Sequence, residues 1–191
     1  MRRLACLALA ALPGCGYRLA GTGANVPRTA RTISISPFRN HTRENGLEVR
    51  LHRALEDEFR RRGTLRVVPD GEGDVVLSGD IRRFASVPVA FSATDEAVQY
   101  QGVITVRVRL AERESGRVLH ETPLMQEAQD FGAVSGVVIA SSPHFQRGTV
   151  NARDLANLTN VQIGDARRRD ALRDLIDALA RDIFVQAMEG F

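Results

Sequence analysis

The alternation from Val98 to Leu110 constrains this chain more than any other feature. Tyr100, Gly102, Ile104, Val106 and Val108 fall on one face of an extended strand. Gln99, Gln101, Val103, Thr105, Arg107 and Arg109 fall on the other. A strand with one apolar face belongs to a sheet covered on that side only, so a second layer must lie against it. Glu112 to Arg117 reads as a hairpin loop with Gly116 near its end. Val118 to Gln129 returns as an antiparallel strand, and Pro123 marks an edge or a bulge.

The covering layer is legible as two amphipathic helices. Leu47, Leu51, Leu55 and Phe59 recur every four residues, Asn45 is the expected N-cap, and Gly63 follows as a C-cap. Arg60, Arg61 and Arg62 close this helix where its dipole favours cations, and they read as a solvated helix end. Leu172, Leu175, Ile176, Leu179, Ile183 and Ala187 make a second stripe, with Asp165 as its expected cap.

The remaining strand signals are shorter. Thr32 to Ser36 alternates, with Ile33 and Ile35 on the buried side; Leu65 to Val68 is a short strand. Val75 to Phe84 runs through Leu77, Gly79 and Ile81, with Asp80, Arg82 and Arg83 alternating or exposed. Ala85 to Ala97, with Pro88 and a Ser/Thr-rich middle, reads as a long loop whose Val89 and Phe91 tuck into the protein. The expected fold is α+β: two amphipathic helices packed on one face of a mixed, mostly antiparallel sheet of about four to five strands.

The N-terminus sets the compartment. Arg2 and Arg3 precede the apolar run Leu4 to Leu12, and Pro13-Gly14-Cys15 follows. A charged head, a short apolar middle and a small residue at the exit make a secretory leader. A cysteine directly after that small residue resembles a bacterial lipoprotein leader. The resemblance implies cleavage between Gly14 and Cys15, a diacylglycerol on the Cys15 thiol and an acyl chain such as palmitate on its freed amine. Nine apolar residues do not span a bilayer, which needs roughly twenty. Several acyl chains do hold a protein firmly to a membrane surface. Cys6 goes with the leader and Cys15 is acylated, so no thiol remains for a disulfide, a nucleophile or a metal.

Charge and motifs argue against nucleic-acid binding and catalysis. The chain has 26 basic and 23 acidic residues, all the basic ones Arg; loss of Arg2 and Arg3 leaves 24 against 23. A nearly neutral mature chain does not read as a nucleic-acid binder. His41, His52, His120 and His144 have no metal spacing, and His52 with Glu56 is one helical turn apart, the pattern of a surface pair. There is no nucleophile elbow and no phosphate-cradling loop. Hence no catalytic residue, no metal ligand and no cofactor is expected. An enzyme would need a cleft with perturbed carboxylates, for instance near Asp80 and Glu112.

Several segments, taken in order, resemble one family. Cys15-Gly16-Tyr17-Arg18-Leu19 resembles the start of mature LptE-type lipopolysaccharide (LPS) assembly lipoproteins. So does Ile33-Ser34-Ile35-Ser36-Pro37-Phe38-Arg39-Asn40, with Thr42 two residues on. Gly46-Leu47-Glu48 leading into Leu51, Ala54-Leu55 and Glu58-Phe59 resembles the family's first helix, and Asp74-Val75-Val76-Leu77-Ser78-Gly79 with Ile81 its third strand. The resemblance runs from Cys15 to about Phe131, plus the last helix by pattern.

It implies an outer-membrane lipoprotein on the periplasmic side that plugs a large β-barrel partner, the LptD-like subunit of the LPS translocon. It also implies contact with LPS, singles out no LPS-binding residue, and attaches no enzyme activity. The expected organisation is residues 1–14 as signal peptide, 15–31 as lipidated N-terminus and tether, and 32–191 as the α+β domain with an irregular insertion at about 131–164. The competing expectation is a lipoprotein adaptor or binding module of another envelope or secretion complex.

Overall fold

The computed structural model describes residues 25–91, 93, 97–132 and 152–189, and within the last helix it describes side chains from residue 166 onward. Gly14 and Cys15, the expected cleavage and lipidation positions, lie outside the described residues, as does His144. The elements run β1 (Thr32–Ile35), β2 (Arg39–Asn40), α1 (Leu47–Arg62), β3 (Arg66–Val68), β4 (Val75–Phe91), β5 (Ala97–Glu112), β6 (Val118–Gly132) and α2 (Ala152–Glu189).

The sheet has six strands rather than four to five, in the order β3-β1-β4-β5-β6, with β2 also paired to β4. The short strands β1, β2 and β3 pair in parallel, and the long β4–β5 and β5–β6 ladders are antiparallel. The architecture is therefore α+β with a mixed sheet, as the sequence implies. The additional strand, β2, falls in a stretch that reads as a loop after Pro37. Two residues there, Arg39 and Asn40, lie opposite Asp80 and Ile81. A pairing that short leaves no periodicity to read.

One face of the sheet carries the core. Ile33, Ile35, Val75, Leu77, Ile81, Ile104, Val106, Val108, Leu110 and Met125 are buried there, beneath Leu47, Leu51, Leu55 and Phe59 of α1 and the expected stripe of α2. The helices meet at Phe59 and Phe184, whose rings pack edge to face with centroids 4.9 Å apart. Helix α2 runs antiparallel to β6, from Arg168 and Leu172 beside Phe131 to Gln186 beside Thr122.

Three local expectations are corrected. First, the stretch from Ala85 is strand, not loop: β4 reaches Phe91 and pairs along its length with β5, as far as Phe91 opposite Ala97. Its signal is weak because the pairing of β4 to β1 and β2 ends at Ile81, which leaves this half an edge. Pro88 is tolerated at such an edge, next to a register shift. Val89 and Phe91 are accordingly exposed, not tucked in.

Second, α1 begins after Gly46, at φ +79°, not at a capping Asn45. Asn40 organises the approach instead. Its Nδ2 donates to the Glu48 carboxylate and the Glu44 carbonyl, both at 2.8 Å, and its Oδ1 accepts from the Thr42 N–H and hydroxyl. Third, β6 extends to Gly132 and α2 begins at Ala152, thirteen residues before Asp165, so the two elements take up both ends of the irregular stretch expected at 131–164. Gly164 and the surrounding Asn and Thr residues have poor helix propensity, which hides the early start. Pro123 does sit at a bulge of β6, between the pairs Val106–Met125 and Val108–Thr122, on an edge strand.

A candidate docking face

Both helices pack on one side, which leaves the opposite sheet face as the extended polar surface of the described residues. Period-two alternation along β5 places Gln99, Gln101, Val103, Thr105, Arg107 and Arg109 there together. These include the five polar residues that the alternation sets apart from the core.

The centre of the face is Asp80. It lies opposite Arg107 across the β4–β5 ladder and opposite Arg39 across the β2–β4 pairing. Its side chain alternates onto this face, as its place in the strand implies, yet is only 9% exposed. Arg39 Nε approaches its Oδ1 at 3.0 Å, His41 Nε2 at 3.2 Å, and Arg82 stands 3.8 Å from Oδ2. Burial pushes the Asp80 carboxyl up, but the His41 hydrogen bond and the Arg39 and Arg82 charges outweigh it, and the carboxyl sits below its ordinary range.

Beside it, Arg107 donates through Nε to Glu121 Oε1 at 2.9 Å, and its second nitrogen meets the same oxygen. That hydrogen bond and charge lower the Glu121 carboxyl, with Arg109 adding to the effect. Farther along, Gln99 and Gln101 both donate to Asp130, at 3.1 and 2.9 Å. Arg39, His41, Glu121 and Asp130 did not stand out in the sequence. Parallel pairing to β2, which has no local signal, and the antiparallel return of β6, which the hairpin at Gly116 does signal, bring them in.

Beneath this face Gly79 lets β4 lie on Phe38. A Cβ at Gly79 would run into the Phe38 ring and the Arg107 carbonyl oxygen. Phe38 is itself buried, so the residue before Arg39 is anchored in the core while Arg39 reaches out to Asp80.

The other sequence candidates are not assembled into a site. Asp80 lies opposite Arg107 and Glu112 lies opposite Val75, five residues apart along β4, so the two carboxylates form no common cleft. His52 and Glu56 are 3.5 Å apart on α1, and no group of three or more metal-ligating side chains occurs among the described residues. The arginine run at the end of α1 has an internal purpose: Arg61 and Arg62 pair with Glu58, whose side chain is 2% exposed, and Arg62 lies 5.4 Å over the Phe184 ring.

The chain enters the domain at Asn25, against the end of α2. Its Nδ2 donates to the Gln186 carbonyl at 3.1 Å and stands 3.4 Å from His120 Nδ1. His120 reaches Thr122, and the Thr122 hydroxyl donates to Gln186. Burial pushes the His120 imidazole below its ordinary value. No helix among the described residues is long and apolar enough to cross a membrane.

Comparison with known proteins agrees with this architecture. The model of one family, described as LptE: Lipopolysaccharide-assembly, matches residues 30–187. The match passes through the stretch from Phe131 to Gly164, where the segment-by-segment resemblance carries nothing. No curated protein matches. Among solved structures, a Xanthomonas campestris protein of family DUF330 is 12% identical with a TM-score of 0.50, covering 83% of this chain and 84% of its own. A lipoprotein B from Nitrosomonas europaea is 13% identical with a TM-score of 0.47, covering 92% and 94%. A minor lipoprotein from Acinetobacter baumannii is 16% identical with a TM-score of 0.44, covering 86% and 95%. The likeness to the Xanthomonas protein is one of fold.

Proposed function

The chain belongs to the LptE lipopolysaccharide-assembly family, and from that premise we propose that it is the lipoprotein subunit of an outer-membrane LPS translocon. In this reading residues 1–14 are removed, Cys15 carries the lipid, and the tether places the α+β domain on the periplasmic side of the outer membrane. The domain seats as a plug in a large LptD-like β-barrel and assists delivery of LPS through it.

The observation that carries the reading, beyond family, is the open sheet face. A sheet whose one side is closed by two helices and whose other side presents Gln and Arg suits a polar lumen, because the interior of such barrels is polar. Asn25, tied to the end of α2, gives the tether a fixed point of departure. The role asks for binding and support and assigns no catalytic residue.

The test is affinity capture of the lipidated chain from detergent-solubilised outer membranes, with the captured proteins identified by mass spectrometry. An LPS-assembly barrel is expected in near-stoichiometric amount. Capture of a different envelope or secretion complex, with no barrel, would make the chain an adaptor of that system and overturn the plug reading.

A further inference from the structure

We infer that the docking specificity of this plug resides in a basic stripe on the open face, Arg39, Arg82, Arg83, Arg107 and Arg109, and that the stripe meets a row of carboxylates on the barrel's inner wall. This rests on the plug reading, which supplies the wall; the chemistry of the wall follows from the face.

The stripe holds five arginines against two carboxylates, Asp80 and Glu121, a local excess of three. A mature chain starting at Cys15 has 24 basic and 23 acidic residues, so its charge is segregated. The excess stands at the Asp80 end of the sheet face that the helices leave open; Asp130 lies farther along that face, beside Gln99 and Gln101.

The two carboxylates are engaged from within. Asp80, at 9% exposure, is held by Arg39 and His41, and Glu121 by Arg107. An approaching surface therefore meets mainly guanidinium groups: the side chains of Arg39, Arg82 and Arg107 are 79%, 48% and 42% exposed.

Spacing selects the partner. Arg107 and Arg109 are two residues apart on one strand, about 7 Å along it, and Arg83 lies opposite Thr105 one step further along the same face. Arg39 and Arg82 converge on Asp80, which already fills the point between them, while Arg83, Arg107 and Arg109 are spread along the strands. A single phosphate needs convergence. A barrel strand presents its inward side chains at the same two-residue repeat, so a row of Asp or Glu on such a strand matches the stripe position for position. Each guanidinium then offers a carboxylate a two-pronged, charge-assisted contact.

The experiment compares capture of the identified barrel by four lipidated chains: wild type, R107E/R109E, R107Q/R109Q and R50E/R53E. The last makes the same charge change on exposed positions of α1. The inference expects about tenfold or greater loss of barrel with R107E/R109E, an intermediate loss with R107Q/R109Q, none with R50E/R53E, and weaker wild-type capture as salt is raised. Thermal melts report folding of each variant; if R107E/R109E fails to fold, R107Q/R109Q carries the test. If wild type captures no barrel, the plug reading itself fails. If wild type captures it and both variants at Arg107 and Arg109 capture it equally, the stripe inference fails and the plug stands. Retained barrel with lost LPS binding would make the stripe a phosphate site and equally overturn the inference.

Discussion

Replacing Gly79 with Ala should destabilise the domain, although the general expectation for that change is the opposite. Gly in a strand interior is unfavourable by roughly 0.5–1 kcal/mol relative to Ala, so a permissive site would gain stability. Here the added methyl group meets two obstacles, the Phe38 ring and the Arg107 carbonyl oxygen. Phe38 is 2% exposed and hemmed in by the core, and the carbonyl belongs to the backbone of the neighbouring strand, so neither yields cheaply. Overpacking of this kind costs about 1–3 kcal/mol. Offsetting the propensity gain leaves a net loss of about 1–2 kcal/mol, or about 2–8 °C in Tm for a chain of this size.

The assay is equilibrium urea unfolding of the non-lipidated Cys15→Ser form, followed by circular dichroism. The double variant Gly79→Ala/Phe38→Leu should recover part of the loss, because it removes the ring and leaves the carbonyl, giving a coupling of about 0.5–1.5 kcal/mol. A neutral or stabilising Gly79→Ala would refute the close packing of β4 on Phe38 and, with it, the account of how Arg39 is positioned beside Asp80.

Asp80→Asn should lower stability at neutral pH and lose its effect in acid. The carboxyl is depressed in the folded chain, so its contribution exists above the ordinary carboxylate range and disappears as pH falls through the folded value. Urea midpoints of wild type and variant should differ at pH 7 and draw together as pH falls below the ordinary carboxylate range, and a difference that does not shrink would contradict the ion cluster. Glu127→Gln should act in the reverse sense. Burial and the facing Asp182 raise the Glu127 carboxyl above its ordinary 4.5, with Arg181 opposing, so the wild type loses stability as pH rises through the raised value. The variant should melt higher than wild type at pH 7–8 and equally below about pH 4.5; a lower melt at neutral pH would contradict the assignment.

What the sequence discloses and what it hides follow from the range of the interactions. The alternation of β5 and the stripes of α1 and α2 are local periodicities, and the residues they single out, from Ile104 to Leu110 and from Leu172 to Ala187, are the ones found buried. One-sided burial of the sheet, and hence the polar open face with Arg107 and Arg109, follows from that alternation alone. The hidden parts depend on partners far along the chain. Arg39 meets Asp80 through a two-residue pairing across 41 positions. The upper half of β4 is strand because β5 pairs with it, not because its own residues alternate. The start of α1 rests on Asn40 and on Gly46 in the left-handed region, where a preference for a polar cap points to Asn45 instead. The arginine run at the end of α1 is solvated as its sequence reads, and what the sequence does not show is that Arg61 and Arg62 also reach the buried Glu58.

The central claim is that a lipid joins this domain to the membrane it serves. The most direct measurement is the intact mass of the chain purified from bacterial outer membranes, with fragmentation of its N-terminus. The account predicts a polypeptide beginning at Cys15 and carrying diacylglycerol on the thiol and an acyl chain on the amine. A chain that still begins at Met1 and carries no acyl group would contradict it.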